Sequence, residues 1–137
     1  MKLISHRGNL NGPSNLENHP IQIKKVLDLG YDCEIDLWHE DGRFFLGHDI
    51  PEHCIHPAFL DRNGLWIHCK NLEALDACSA NQNYFWHEKD SHTLTSKNYI
   101  WTFPNQKVGK KSIIVDNNKD WQSRNYGCFG VCSDYII

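Results

Sequence analysis

Apolar and polar positions alternate with a period of two over much of this chain, in short runs broken by Gly, Pro, Asn and Asp. Such runs read as strands. They fall at 2–6, 32–38, 43–47, 65–70, 84–88, 99–103, 112–116 and 129–135. A helical period is convincing only at 20–29 and 71–80, with a short third helix near 118–125. The polar stretch 89–97 and the segment between Phe103 and Ser112 leave no room for further helices. Asp41-Gly42 predicts a tight hairpin turn between two of the runs.

Alternation also assigns faces. Residues two apart on a strand share a side, so Glu34 and Asp36 converge on one point. In Trp66-Ile-His-Cys-Lys70, Trp66, His68 and Lys70 share one face, with Ile67 and Cys69 on the other. A buried carboxylate pair needs a cation or a proton between its members. The second hairpin run ends in His48-Asp49, which brings an acid or base that titrates near neutrality. The first run leads into His6-Arg7-Gly8-Asn9. There arginine can grip a phosphate bidentately, glycine lets the backbone approach, and histidine can move a proton. Glu17 and Asn18 read as supports for that loop, with Asn18 a candidate cap for the helix at 20–29.

Composition narrows the classes. The 137 residues, 40% apolar with a net charge of −3, describe one domain over 1–137. No basic stripe suggests nucleic acid, and no apolar run approaches the ~20 residues of a membrane span. The opening Met-Lys-Leu-Ile-Ser-His passes straight into a strand without a signal-peptide core, so a cytoplasmic location is expected. The six cysteines (33, 54, 69, 78, 128 and 132) lack paired metal spacings and are expected to be reduced core fillers. His53-Cys-Ile-His56 has no second pair to complete a zinc site.

The order His6-Arg7-Gly8, Glu17-Asn18, Gly30-Tyr-Asp-Cys-Glu34-Ile-Asp36, Asp41-Gly42 and His48-Asp49 resembles the signature of the glycerophosphodiester phosphodiesterases. These are TIM-barrel enzymes related in fold to the phosphatidylinositol phospholipases C. The match is dense over residues 3–49 and thins to Ile67-His-Cys-Lys70, Ile100-Trp-Thr102 and Gly130-Val-Cys-Ser-Asp-Tyr135. The resemblance implies an α/β fold, a TIM-type barrel. It also implies general acid–base chemistry by His6 and His48, a divalent cation on Glu34 and Asp36, and phosphate contact by Arg7. The family's further metal carboxylate is replaced here by His68. Either the ion is held more weakly, or a more imidazole-tolerant ion is used, or Glu88 substitutes. A full barrel takes about 250 residues, so a reduced barrel with several outer helices shortened or missing is expected. A homodimer would cover the exposed strand faces, the alternative being a compact monomer.

On that barrel Lys70 would neutralise phosphate or a metal carboxylate, or else form a structural ion pair. Trp101 would wall the mouth against a substrate's carbon skeleton, or else fill the core. Asp134 would orient Arg7 or close the barrel, and His87 would be structural, substrate-contacting or catalytic. The expected activity is metal-dependent hydrolysis of a small or glycan-linked glycerophosphodiester, with Mg²⁺ or Ca²⁺ as cofactor and Mn²⁺ as a further candidate. The competing readings are a non-catalytic module that binds a phosphate-bearing ligand and a lyase-type phospholipid enzyme.

Overall fold

A computed structural model describes residues 1–137. Ten strands form one sheet: β1 (Lys2–His6), β2 (Asp32–Glu40), β3 (Arg43–Leu46), β4 (His53–Ile55), β5 (Leu65–Cys69), β6 (Tyr84–Trp86), β7 (His92–Leu94), β8 (Ile100–Thr102), β9 (Ser112–Val115) and β10 (Gly130–Ser133). Two α-helices, α1 (Pro20–Asp28) and α2 (Leu72–Ala77), and 3₁₀ turns at Pro57–Asp61 and Trp121–Arg124 complete it. No helix is long and apolar enough to cross a membrane.

Seven strands pair in parallel, in the lateral order β8, β9, β10, β1, β2, β5, β6. Antiparallel strands extend this set. The nine-residue β2 outruns its parallel partners, and its last four residues pair with β3 across the Asp41-Gly42 turn. β4 adds to β3, and β7 adds to β8.

The expected α/β TIM-type barrel is corrected by this architecture. Strands take 33% of the chain and helices 18%, and the result is a β-rich, curled mixed sheet. The reason is in the connections. A (β/α) barrel places a helix between successive parallel strands. Here only α1 links β1 to β2 and only α2 links β5 to β6, while turns and loops make the other crossings. The hairpin partners β3, β4 and β7 occupy chain that a barrel would give to helix.

Side-chain alternation explains the curl. Ile4, Trp66, Phe85, Trp101, Ile113 and Cys132 come from six strands yet form one buried cluster. They meet only because the sheet bends around them. The outer face of β2 and β5 (Cys33, Ile35, Leu37, Leu65, Ile67, Cys69) packs on Ile23 and Val26 of α1 and Ala74 of α2. α1 begins where Pro20 supplies a fixed φ at its first position. Its cap is His19, whose Nδ1 accepts from the Ile21 N–H, so Asn18 is not the cap. A third cluster of Ile114, Trp121 and Val131 covers the outside of β9 and β10.

Candidate functional site

The residues that face the inside of the curl at the carboxyl ends of the strands are polar. β1 ends in His6, β2 presents Glu34 and Asp36, and β5 presents His68; in register, His6 lies beside Glu34, and Asp36 beside His68. Glu34 is 2% exposed and Asp36 is fully buried. A cavity of about 270 Å³ opens over Glu34, His6 and His68, and Asp36 lies beneath its lining.

His6 Nδ1 donates to Asp134 Oδ1 at 2.8 Å, which turns its Nε2 inward, 3.9 Å from Glu34 Oε2. Burial alone would lower the His6 pKa; the Asp134 hydrogen bond and the Glu34 charge outweigh it, so the pKa is raised. Arg7 follows in a left-handed turn with φ 58°, and Gly8 continues it at φ 92°. A Cβ on Gly8 would also press on the Gln22 side chain at 3.1 Å. This turn aims Arg7 back at the acids: its Nε lies 3.4 Å from Asp36 Oδ2 and an Nη lies 3.3 Å from Glu17 Oε1. Asn9 donates to both Glu17 and Asp134, each at 2.8 Å, which joins the arginine and histidine supports into one ring.

Asp36 is held from a second side by Asn18. Its side-chain amide donates to Asp36 Oδ2 at 2.8 Å and its oxygen accepts the Asp36 N–H at 2.9 Å. His68 completes the group. Its Nε2–H donates to the His87 carbonyl oxygen at 2.8 Å, so Nδ1 faces Asp36 Oδ1 at 3.2 Å and Glu34 Oε1 at 3.8 Å. Burial opposes charge on His68, but the two carboxylates prevail and push its pKa up to about 9. Burial would raise the Asp36 pKa, yet His68, Arg7 and Asn18 hold it well below the usual carboxylate range.

Glu34, Asp36 and His68 each offer a ligand atom, all within 4.8 Å of one another. Glu34 Oε2 and Asp36 Oδ1 are buried without a hydrogen-bond partner. An imidazole anchored through one nitrogen to a backbone carbonyl, with the other turned to buried acids, is the arrangement metal-binding histidines adopt. The donor set thus suits a cation.

The other expected site residues are distributed around this centre. His48 reaches the cavity from the loop after β3, with its side chain 41% exposed and Nδ1 paired with Asp49 at 2.6 Å. Gly47 before it is required by space: a Cβ there would fall 2.0 Å from the Ile50 carbonyl oxygen. Glu88 is exposed on the cavity rim, outside the three-residue group. Trp101 is 3% exposed, stacks on Phe85 at 4.6 Å within the buried cluster and is also among the residues that line the cavity. Lys70 lies just beyond β5 and does not line the cavity. Asp134 supports His6 directly, and Arg7 is held by Glu17 and Asp36. The supporting role of the His87 carbonyl carried no side-chain signal in the sequence.

Comparison with family models, curated proteins and solved structures gives no match. Together with the β-rich mixed sheet, this overturns the resemblance to the glycerophosphodiester phosphodiesterases. The geometry of the site is then the sole guide to its chemistry.

Proposed function

We propose that this chain hydrolyses a small phosphodiester with the help of one divalent cation held by Glu34, Asp36 and His68. The observation that carries the reading is the convergence of two buried carboxylates on the anchored imidazole of His68: Asp36 Oδ1 has the His68 ring nitrogen at 3.2 Å beside it, and Glu34 Oε2 accepts no hydrogen bond. Two carboxylates favour a hard cation such as Mg²⁺ or Ca²⁺, and the imidazole extends the range to Mn²⁺. Such an ion supplies positive charge where a phosphodiester gains negative charge.

The chain's own residues would do the rest. Arg7 borders the cavity, where its guanidinium can grip a second phosphate oxygen. His6, oriented by Asp134, presents Nε2 for proton transfer, and His48 stands at the rim as the second proton carrier. One takes the proton of the attacking hydroxyl and the other protonates the leaving oxygen. A substrate with a hydroxyl next to its ester, as in a glycerophosphodiester, supplies its own nucleophile and passes through a cyclic phosphate. Trp101 and Phe103 give the cavity an apolar wall for the carbon part of such a substrate.

The test is hydrolysis of a panel of glycerophosphodiesters by purified protein, with EDTA or with Mg²⁺, Ca²⁺ or Mn²⁺ added, beside His6→Ala and Glu34→Ala. Metal-dependent turnover is expected, reduced at least 100-fold in His6→Ala on the scale of a lost acid–base group, and lost in Glu34→Ala together with the response to added metal. Folded wild-type protein that turns over no diester with any ion would refute the reading and leave a phosphate-binding module.

A further inference from the structure

On the far side of β5 from the site, Cys69 Sγ lies 3.8 Å from Cys78 Sγ. All six cysteines are free, and no other two of their sulfurs touch. Cys33 and Cys128 direct their thiols to backbone carbonyls, of Glu34 and Gly130. Cys54 is exposed but has no second thiol beside it.

The two members of the pair differ in a useful way. Cys69 is 2% exposed and fixed, since β5 is hydrogen-bonded to β2 on one side and β6 on the other. Cys78 is partly exposed and terminates α2, its N–H bonded to the Ala74 carbonyl oxygen before the chain turns extended. Ser79, Ala80 and Asn81 beyond it are exposed. Closing 3.8 Å to the ~2.05 Å of an S–S bond therefore falls to the Cys78 side, where a helix end can yield.

We infer that Cys69 and Cys78 are a modification site: an oxidisable dithiol that a low-molecular-weight disulfide converts to an intramolecular bond. The accessible Cys78 thiolate attacks the small disulfide, forming a mixed disulfide and releasing one small thiol. Cys69 then attacks the Cys78 sulfur, closing the protein bond and releasing the second small thiol. Two protein thiols are oxidised and one small disulfide is reduced to two thiols; each protein thiol proton ends on a released thiol. The product ties the end of α2 to the residue that follows His68.

The full-length protein is equilibrated with graded ratios of oxidised and reduced glutathione, trapped with an alkylating agent, and read by intact mass and peptide mapping. The expected product lacks two alkylatable thiols and carries a crosslink between the peptides of residues 69 and 78, unchanged in Cys54→Ser. Cys69→Ala should stop at a Cys78–glutathione mixed disulfide, and Cys78→Ser should leave Cys69 unmodified. The assay needs only folded protein, checked by circular dichroism, and is independent of hydrolysis. A crosslink mapped to any other pair would overturn the inference. So would retention of both thiols at ratios that fully glutathionylate Cys54.

Discussion

Without a divalent cation, the buried acids depend on the proton of His68, and stability should show it. The perturbation is His68→Gln, which keeps a polar side chain and removes the titrating group. In the folded chain the His68 pKa rises from 6.5 to about 9, which corresponds to roughly 3 kcal/mol at about 1.4 kcal/mol per pH unit. A raised histidine pKa gives stability that is complete below pH 6.5 and is lost as pH climbs toward 9. His6, also raised, adds in the same sense. The thiols of Cys33 and Cys132, pushed up by burial, lower stability further once unfolded thiols ionise near the top of this window. Wild type therefore has to be compared with His68→Gln, in which those other contributions persist. Urea unfolding of both proteins in EDTA, at half-unit steps from pH 6 to 9.5, gives the two curves. The gap between them should narrow by roughly 3 kcal/mol across the window. Saturating Mn²⁺ should remove the His68 part of the wild-type slope and leave the slope of His6 and the buried thiols, because a bound cation would replace the His68 proton. A gap that stays constant within about 0.5 kcal/mol would show that His68 does not hold its proton against these acids.

Two further outcomes check the frame around the centre. Gly47→Ala should destabilise the chain by on the order of 2–4 kcal/mol, since its Cβ would fall 2.0 Å from the Ile50 carbonyl oxygen; a urea midpoint close to wild type would refute that close approach. Asp134→Asn removes the anion bonded to His6 Nδ1, so the His6 ring should titrate at lower pH by NMR; an unchanged titration would mean that Asp134 does not set its charge.

The sequence made the centre readable where one strand's alternation was enough. Glu34 and Asp36 share a face because they are two apart on β2, and His68 meets them because β5 pairs in register with that strand. His6 and Arg7 were legible from the end of the first strand and the glycine after them. The short strands β4 and β7 were not. His53–Ile55 and His92–Leu94 are three residues each in polar surroundings, and they extend only because β3 and β8 offer them edges. Pairing, not local propensity, makes such strands. The barrel expectation failed for a related reason. Strand pattern fixes which face is apolar, but it does not say whether the chain between two strands coils into a helix or returns as a hairpin. The Asp134–His6 contact spans 128 positions and no local pattern announces it.

What unites the site is its need for a positive guest. Glu34 and Asp36 lie almost out of reach of water, and two carboxylates there cannot remain ionised without opposite charge close by. Arg7 meets only part of that need, because it is shared with Glu17 and stands to one side of Asp36. Asn18 supplies dipoles to Asp36 and no charge. His6, its pKa raised partly by the Glu34 charge, faces Glu34 Oε2 at 3.9 Å; on the other side, Nδ1 of His68 faces Asp36 and the second Glu34 oxygen. A proton on that nitrogen answers the need, yet it occupies the lone pair a metal ion would use. On the proposed reading, proton and cation are thus alternatives at one point. The His87 carbonyl prepares His68 for either, since it binds the opposite edge of the ring in both states. Glu34 separates them: its Oε1 faces Nδ1 of His68 at 3.8 Å while its Oε2, 3.9 Å from His6 Nε2, accepts no hydrogen bond, and an ion with several coordination positions would engage such an oxygen.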